Sequence, residues 1–256
     1  MTSVGKRDCI KRDGGNGDVF DYDQADQVTV AELDVPNPNT TAPGAPTIIY
    51  DANGNRNWFE PYGPVEQYST DEFNRYPSRT INGTKTYASY NNNSDMTAGL
   101  DESSYAYDAQ NRLTSATKNA VTDTFAYDSL NRQVSRTVGA VTTYNVYDGW
   151  GLIVEYAPAG TTPSNAYLSG AGGMVKNLVT NKYYYQDASG STSHLAGGTG
   201  ALVEWYRYDL QGTPIIYDSL NHQLSTSNYG IRHLFTGQQW YSELGLYDLR
   251  NRSQVV

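Results

Sequence analysis

The stretch VTDTFAYDSLNRQVSRTV, which begins at Val121, alternates in polarity as an extended strand does. Val121, Phe125 and Tyr127 fall on one face, and Thr122, Thr124 and Ala126 on the other. The alternation stops at Asp128, whose carboxylate suits the backbone N–H groups at the start of a turn. Asn131 tolerates the left-handed conformation that closes one. Arg132 then opens a return strand in which Val134 and Val138 share a face. The pattern predicts a β-hairpin, and the enrichment in Val and Thr agrees with it.

The hairpin recurs. Tyr-Asp pairs stand at Tyr22, Tyr50, Tyr107, Tyr127, Tyr147, Tyr208, Tyr217 and Tyr247. The fullest copies are YDAQNRL from Tyr107 and YDSLNRQ from Tyr127; YDSLNHQ from Tyr217 and YDANGNR from Tyr50 are close to them. Tyr87, Tyr107, Tyr127, Tyr147 and Tyr167 are spaced 20 residues apart, a period proper to stacked β-units. The Tyr before each turn is expected to stack on its counterpart in the neighbouring hairpin, a cross-strand contact worth about 0.2–1 kcal/mol per pair. No long segment carries apolar residues at helical spacing. The fold class is therefore all-β, a tandem array of Tyr-Asp hairpins in an antiparallel sheet.

Three zones follow from the same pattern. Residues 1–48 hold the GGNGD run near Gly14 and the proline-rich PNPNTTAPGAP from Pro36 to Pro46, and read as irregular or linker-like. Residues 49–166 are the repeat array, degenerate around EFNRYPSRT and NNNSDMTAGL. Residues 167–256 leave the strict period.

Composition refines this picture. Of the 256 residues 38% are hydrophobic, but 23 are tyrosines. Counting Gly in place of Tyr leaves the usual apolar set at about 38%, against roughly 45–50% in ordinary domains. Aliphatic side chains are scarce, and Tyr suits surfaces that are half dry and half wet, so a thin, water-flanked sheet is expected. A net charge of −9 with scattered Lys and Arg argues against nucleic-acid binding. Cys9 is the only cysteine, so neither an intrachain disulfide nor a Cys-based metal site is available within one chain. No run approaches the roughly 20 apolar residues of a membrane span. The first ten residues lack the apolar stretch of a signal peptide, so export without a cleaved signal, or an origin inside a longer chain, is expected.

Candidate chemistry is sparse. His194, His222 and His233 stand in unrelated contexts without ligand spacing. Asp51, Asn53 and Asn55 alternate as in a Ca²⁺ loop, but Arg56 replaces the required Gly and the closing Glu is missing, so a turn is the better reading. The glycine runs near Gly170 and Gly197 lack phosphate-binding spacing and read as tight turns. Asn39, Asn82, Asn92 and Asn251 begin N-x-Ser/Thr triplets, which arise easily in so Asn- and Thr-rich a chain. No catalytic, cofactor-binding or metal-binding residue is nominated, and no cofactor is expected.

The last zone carries the most specific signal. The segment YYYQDASGSTSHLAGGTGALVEWYRYDLQGTP, Tyr183 to Pro214, and the segment RHLFTGQQWYSELGLYDLRNR, Arg232 to Arg252, follow the repeat array in order. Together they resemble the RHS repeat-associated core of RHS/YD-repeat proteins, the family of the toxin-complex C component, polymorphic RHS toxins and teneurin-like YD shells. The resemblance covers roughly Tyr50 to Arg252. It implies a curved, spiralling strand sheet that forms part of a hollow shell around a C-terminal toxin. In the family an Asp-Pro region beyond the core performs self-cleavage; after Arg252 this sequence has only Ser253 to Val256, so no catalytic residue is carried over and no enzyme activity is expected.

The function implied is a structural shell segment that encapsulates or presents an adjacent toxin polypeptide, secreted or at the cell surface, with neither nucleic acid nor a membrane span. Its length against a full family shell reads as a piece of a longer chain. A cell-surface module that binds glycan or protein through a tyrosine-rich face is the alternative. Open sheet edges imply self-association.

Overall fold

The computed structural model describes residues 8–11, 15–40, 43–45, 47–60, 63–158, 160–170, 173–249 and, as backbone only, 253–255. Among these residues the regular structure is β-strand apart from one 3₁₀ turn, Phe235–Gly237. No helix is long and apolar enough to cross a membrane. The chain forms two compact units, residues 1–91 with 98–101, and residues 92–97 with 102–256.

The first unit holds two antiparallel sheets. Strands Cys9–Lys11, Asn16–Tyr22 and Val28–Pro36 form one; Ile48–Tyr50, Arg56–Phe59, Glu66–Ser69, Ser78–Ile81 and Thr84–Tyr87 form the other. The expectation of an irregular segment over 1–48 therefore does not hold for its described part. Asp23 organises a turn between Tyr22 and Val28, and the strands it joins bury Val19, Val30 and Ala31. The proline-rich signal applies only after Pro36, where the described residues carry no strand. Gly14 of the GGNGD run, Thr41, Ala42 and Pro46 of the proline-rich run, Ala171 and Gly172 near Gly170, and Arg250 to Arg252 lie outside the described residues.

The second unit carries almost all of a 15-stranded sheet, in which every strand lies beside its sequence neighbours as far as Gln223–Leu224. Such a meander follows from the turn chemistry, because a hairpin turn can only return the chain beside the strand just completed. The sheet continues through residue 166 within strand Pro163–Gly170.

The turn itself is seen clearly at Asp128. Its carbonyl accepts the Asn131 N–H (3.1 Å), and its own N–H donates to the Arg132 carbonyl (3.0 Å). Carboxylate Oδ1 accepts the N–H groups of Leu130 and Arg132, both at 2.9 Å, while Oδ2 pairs with the Arg132 guanidinium at 2.7–2.8 Å. Asn131 sits at φ 63°, the left-handed conformation that Asn tolerates. Asp23, Asp51, Asp71, Asp108, Asp187, Asp209 and Asp218 repeat the same backbone pattern, with Asp26, Gly54, Asn74, Asn111, Gly190, Gly212 and Asn221 at positive φ. These turns share Asp followed three residues later by Asn, Gly or Asp, a pattern that is neither sufficient, since Asp148 with Gly151 does not make the turn, nor required, since Gly197 with Gly200 does. Asp71 and Asp187 make the turn with no Tyr before them. Asp148, although it follows Tyr147, pairs instead with Gly151 across a two-residue loop.

A β-bulge precedes the turn at Tyr50, Tyr107, Tyr127 and Tyr147. The extra residue leaves the Tyr ring leaning over the sheet, but the rings do not form the expected ladder. Tyr107, Tyr127 and Tyr147 lie on alternate strands, so their backbones are about 9–10 Å apart, beyond the 4.5–7 Å of ring contact. The phenols instead reach across the intervening strand: Tyr127 donates to the Leu113 carbonyl and Tyr147 to that of Gln133, both at 2.9 Å, and Tyr208 to that of Thr192 at 2.6 Å. The gap between rings is filled by arginine. Arg112 lies 5.1 Å from the Tyr127 ring and Arg132 5.4 Å from that of Tyr147. Arg112 also donates to the Asp128 carbonyl (3.2 Å), and Arg132 to that of Gly149 (2.7 Å), so each guanidinium spans two successive turns.

Candidate functional site

Strand Val121–Tyr127 turns Asp123 and Phe125 to its buried face, as the alternation of the strand requires. Its partner Gln133–Val138 buries Gln133 and Arg136, while Val134 and Val138 stay half-exposed. Further along, Asn145, Glu155, Asn177, Thr192 and Glu204 are buried on the same sheet. The face is therefore polar and charged where an ordinary sheet would be aliphatic, and each buried group must find a partner.

Residues 231–249, nearly all from the second of the two signature segments, supply several of those partners by folding back over this face. Arg232 pairs with Glu155, whose other oxygen accepts Asn165 Nδ2 (2.7 Å) and the Tyr167 phenol (2.8 Å). Arg136 pairs with Asp123 at 2.6 Å and with Glu243, and its guanidinium lies 4.0 Å from the Tyr241 ring. The Tyr241 phenol donates to Gln133 Oε1 (2.9 Å), and the Tyr247 phenol to the Gly212 carbonyl (3.0 Å). Burial above all pushes the Tyr241 phenol well above its ordinary range, so it remains a donor at any physiological pH. Burial likewise raises the Asp123 carboxyl, against the pull of Arg136.

Apolar contacts fix the register of this cover. Tyr105, Leu113, Ala116 and Phe125 of the sheet pack with Tyr241, Leu244 and Leu246, and the Phe125 and Tyr241 rings stack at 5.6 Å. Tyr184, Leu195, Tyr206 and Ile216 meet Ile231, Leu234, Trp240 and Tyr247. Leu234, Leu244 and Leu246 are nearly inaccessible, each contributing about 1.5–3 kcal/mol by the usual transfer scale. Strands Gln239–Tyr241 and Leu246–Asp248 form the hairpin that carries them, with Gly245 at φ 62° just before the second strand. The link from the sheet is tied down by Glu204, which accepts the Tyr206 phenol (2.5 Å), Ser227 Oγ (2.7 Å) and the Asn228 N–H (2.7 Å).

A cavity of about 300 Å³ lies along one side of the cover, between Asn131 and Gln133, the Trp150 turn and the loop Thr236–Gln239. The three histidines are dispersed. His194 is exposed beside Ser193, His222 caps Asp218 at 3.0 Å, and His233 is buried with its ring edge-on to Tyr167. Asp51 and Asn55 build a hairpin turn, and the run near Gly197 forms another with Gly200 at φ 85°. Among the described residues no cluster of three or more His, Cys, Asp or Glu side chains is placed to hold a metal.

The buried charges are what the sequence reading missed. Their signal is a charged residue two positions before an inward aromatic, as in Asp123-x-Phe125 and Glu204-x-Tyr206. Alternation alone assigns such residues to the inner face.

No protein-family model and no curated protein matches this sequence. Solved structures do match. The crystal structure of TcdB2-TccC3-Cdc42 is similar over 93% of this chain, with a TM-score of 0.54 at 12% identity. That of TcdB2-TccC3-TEV is similar over 96%, with a TM-score of 0.55 at 11% identity. This chain spans only 15% and 16% of those chains. Nearly its whole length thus shares the all-β fold of those solved structures.

Proposed function

We propose that this chain is a structural segment of a toxin-associated shell that encloses or presents a polypeptide, and that it has no active site of its own. One observation carries the reading: a continuous meander whose covered face is lined by Asp123, Arg136, Glu155 and Glu204, each engaged by hydrogen bonds or ion pairs. Here such a face holds the chain's own segment 231–249 by directed polar contacts, and an adjoining polypeptide would be held in the same manner. The solved structures that share the fold support the reading, since two carry a further named component, Cdc42 or TEV. The shell is a secreted one in this proposal.

The test is protection. A loosely folded reporter polypeptide is attached after Val256, and its cleavage by a nonspecific protease is timed beside the free reporter. At least a tenfold slower cleavage is expected when it is attached. Equal rates would remove the reading.

A further inference from the structure

The cavity beside the C-terminal cover combines features that the shell role does not use. Its outer wall is the turn at Gly149 and Trp150, closed by the pairing of Asp148 with Gly151. Trp150 keeps 53% of its surface exposed, a large apolar ring at the rim of a polar hollow. Its position is set from below: Arg132 donates to the Gly149 carbonyl at 2.7 Å while paired with Asp128 at 2.7 Å. The guanidinium is therefore fixed in place and already neutralised. On the opposite side Gly190 and Gly237, both at positive φ, bring main chain to the hollow, while the Gln186 side chain stands against Gly173. Asn131, Thr236, Gln238 and Asp248 add polar side chains to the lining, and Leu152, Met174 and His233 add apolar and aromatic surface.

We propose that this cavity is a binding site for a small neutral saccharide. Each sugar hydroxyl both donates and accepts, and the lining offers both roles: Asn131 donates through Nδ2 while its Oδ1 accepts Arg112, Thr236 Oγ1 accepts while its own proton goes to the Phe235 carbonyl, and the Gln238 amide and Asp248 carboxylate add further polar groups. The C–H face of a sugar ring is apolar and seats on an aromatic face, which the half-exposed indole supplies. With the Arg132 charge paired to Asp128 and the Asp248 carboxylate on the wall, an anionic ligand is disfavoured. The volume is at the lower end of the roughly 300–1,000 Å³ found for small-molecule pockets, which favours one or two sugar rings over a long polymer lying across the sheet.

The experiment is saturation-transfer difference NMR on the whole chain with glucose, galactose, mannose, N-acetylglucosamine and their common disaccharides, with inorganic phosphate competition monitored on the same signals. At least one sugar is expected to take up saturation, most strongly at the ring protons of one face, and phosphate is expected not to displace it. Trp150→Ala is expected to weaken that binding at least tenfold with the far-ultraviolet dichroism unchanged, and Trp150→Phe to retain most of it. Asp248→Asn is expected to weaken it several-fold. Absence of saturation for every sugar, equal binding by Trp150→Ala, or displacement by phosphate would each overturn the proposal. None of these outcomes bears on the reporter-protection test, so the two readings fail separately.

Discussion

Replacing Glu155 by Gln keeps the side chain's shape and removes its charge, which isolates the contribution of one ion pair to the cover. Glu155 is fully buried, with one oxygen on Arg232 and the other accepting Asn165 Nδ2 and the Tyr167 phenol. The Gln carbonyl keeps an acceptor for those two donors, but Arg232 loses its counter-charge. Breaking a buried pair costs about 3–5 kcal/mol when the surviving charge stays desolvated. Arg232 retains 22% of its side-chain exposure, so the lower end, about 3 kcal/mol, is expected. For a unit of this size that corresponds to a fall in Tm of about 6–12 °C. Adding Arg232→Met removes the stranded charge, and part of the loss should be recovered, because the neutral Gln–Met pair leaves no uncompensated charge under the cover. Urea denaturation of the two single variants, the double variant and the parent measures all four corners. A loss below about 1 kcal/mol for Glu155→Gln, or a double variant less stable than either single one, would refute the reasoning.

Tyr241→Phe deletes the hydroxyl that donates to Gln133 Oε1 and lies 3.5 Å from Asp248 Oδ2, and should cost about 1 kcal/mol in the same urea assay. Asn131→Gly should be nearly neutral and Asn131→Val destabilising by about 1–2 kcal/mol, because the φ of 63° is strained for a β-branched residue; equal stabilities would exclude the assigned turn. Hydrogen bonds from Arg75, chiefly from its side chain, hold the Asp71 carboxyl below its ordinary value of 3.8, and the Arg132 backbone N–H foremost does the same for Asp128. Since these folded-state values are depressed, the turns' contribution is present above pH 3.8 and lost as the pH falls through the folded values. Asp123, raised by burial, acts in the opposite sense, its share being lost as the pH rises through its folded value, so urea midpoints followed down to about pH 2 should fall less when Asp71 and Asp128 are both replaced by Asn. Burial pushes the Tyr107 and Tyr147 phenols up to about 12, and ultraviolet titration should show them ionising there rather than near 10. Purified protein incubated for days should show no self-cleavage by mass spectrometry, and a discrete cut would reverse the non-enzymatic proposal.

Much of the fold was legible because its determinants are local. Asp128 and Asn131 declare a turn within four residues, and repetition of that unit orders the sheet. The dipeptide used to find the repeats was nonetheless slightly misplaced: Asp71 and Asp187 turn without Tyr, whereas Tyr147-Asp148 does not make this turn. The Tyr role was half legible, since a phenol seeking a partner was expected, but which partner depends on strand spacing that sequence periodicity does not encode. The covered face was not legible. Tyr241 meets Gln133 across 108 residues, and Arg232 meets Glu155 across 77. Such pairings leave no periodic trace, and a buried Glu in a strand looks like any solvent-facing one until its parity is compared with neighbouring aromatics.

The arginines that span successive turns have a consequence for how the array melts and how it grows. Because Arg112 is bonded both to its own Asp108 and to the carbonyl of Asp128, the state of one unit enters the energy of the next, as in a one-dimensional lattice with nearest-neighbour coupling. A defect at one turn should therefore spread to its neighbour and fade beyond it. Conversely, a duplicated 20-residue unit would bring both halves of its coupling with it. Such a chain lengthens by copying, with no new interface to invent at either seam.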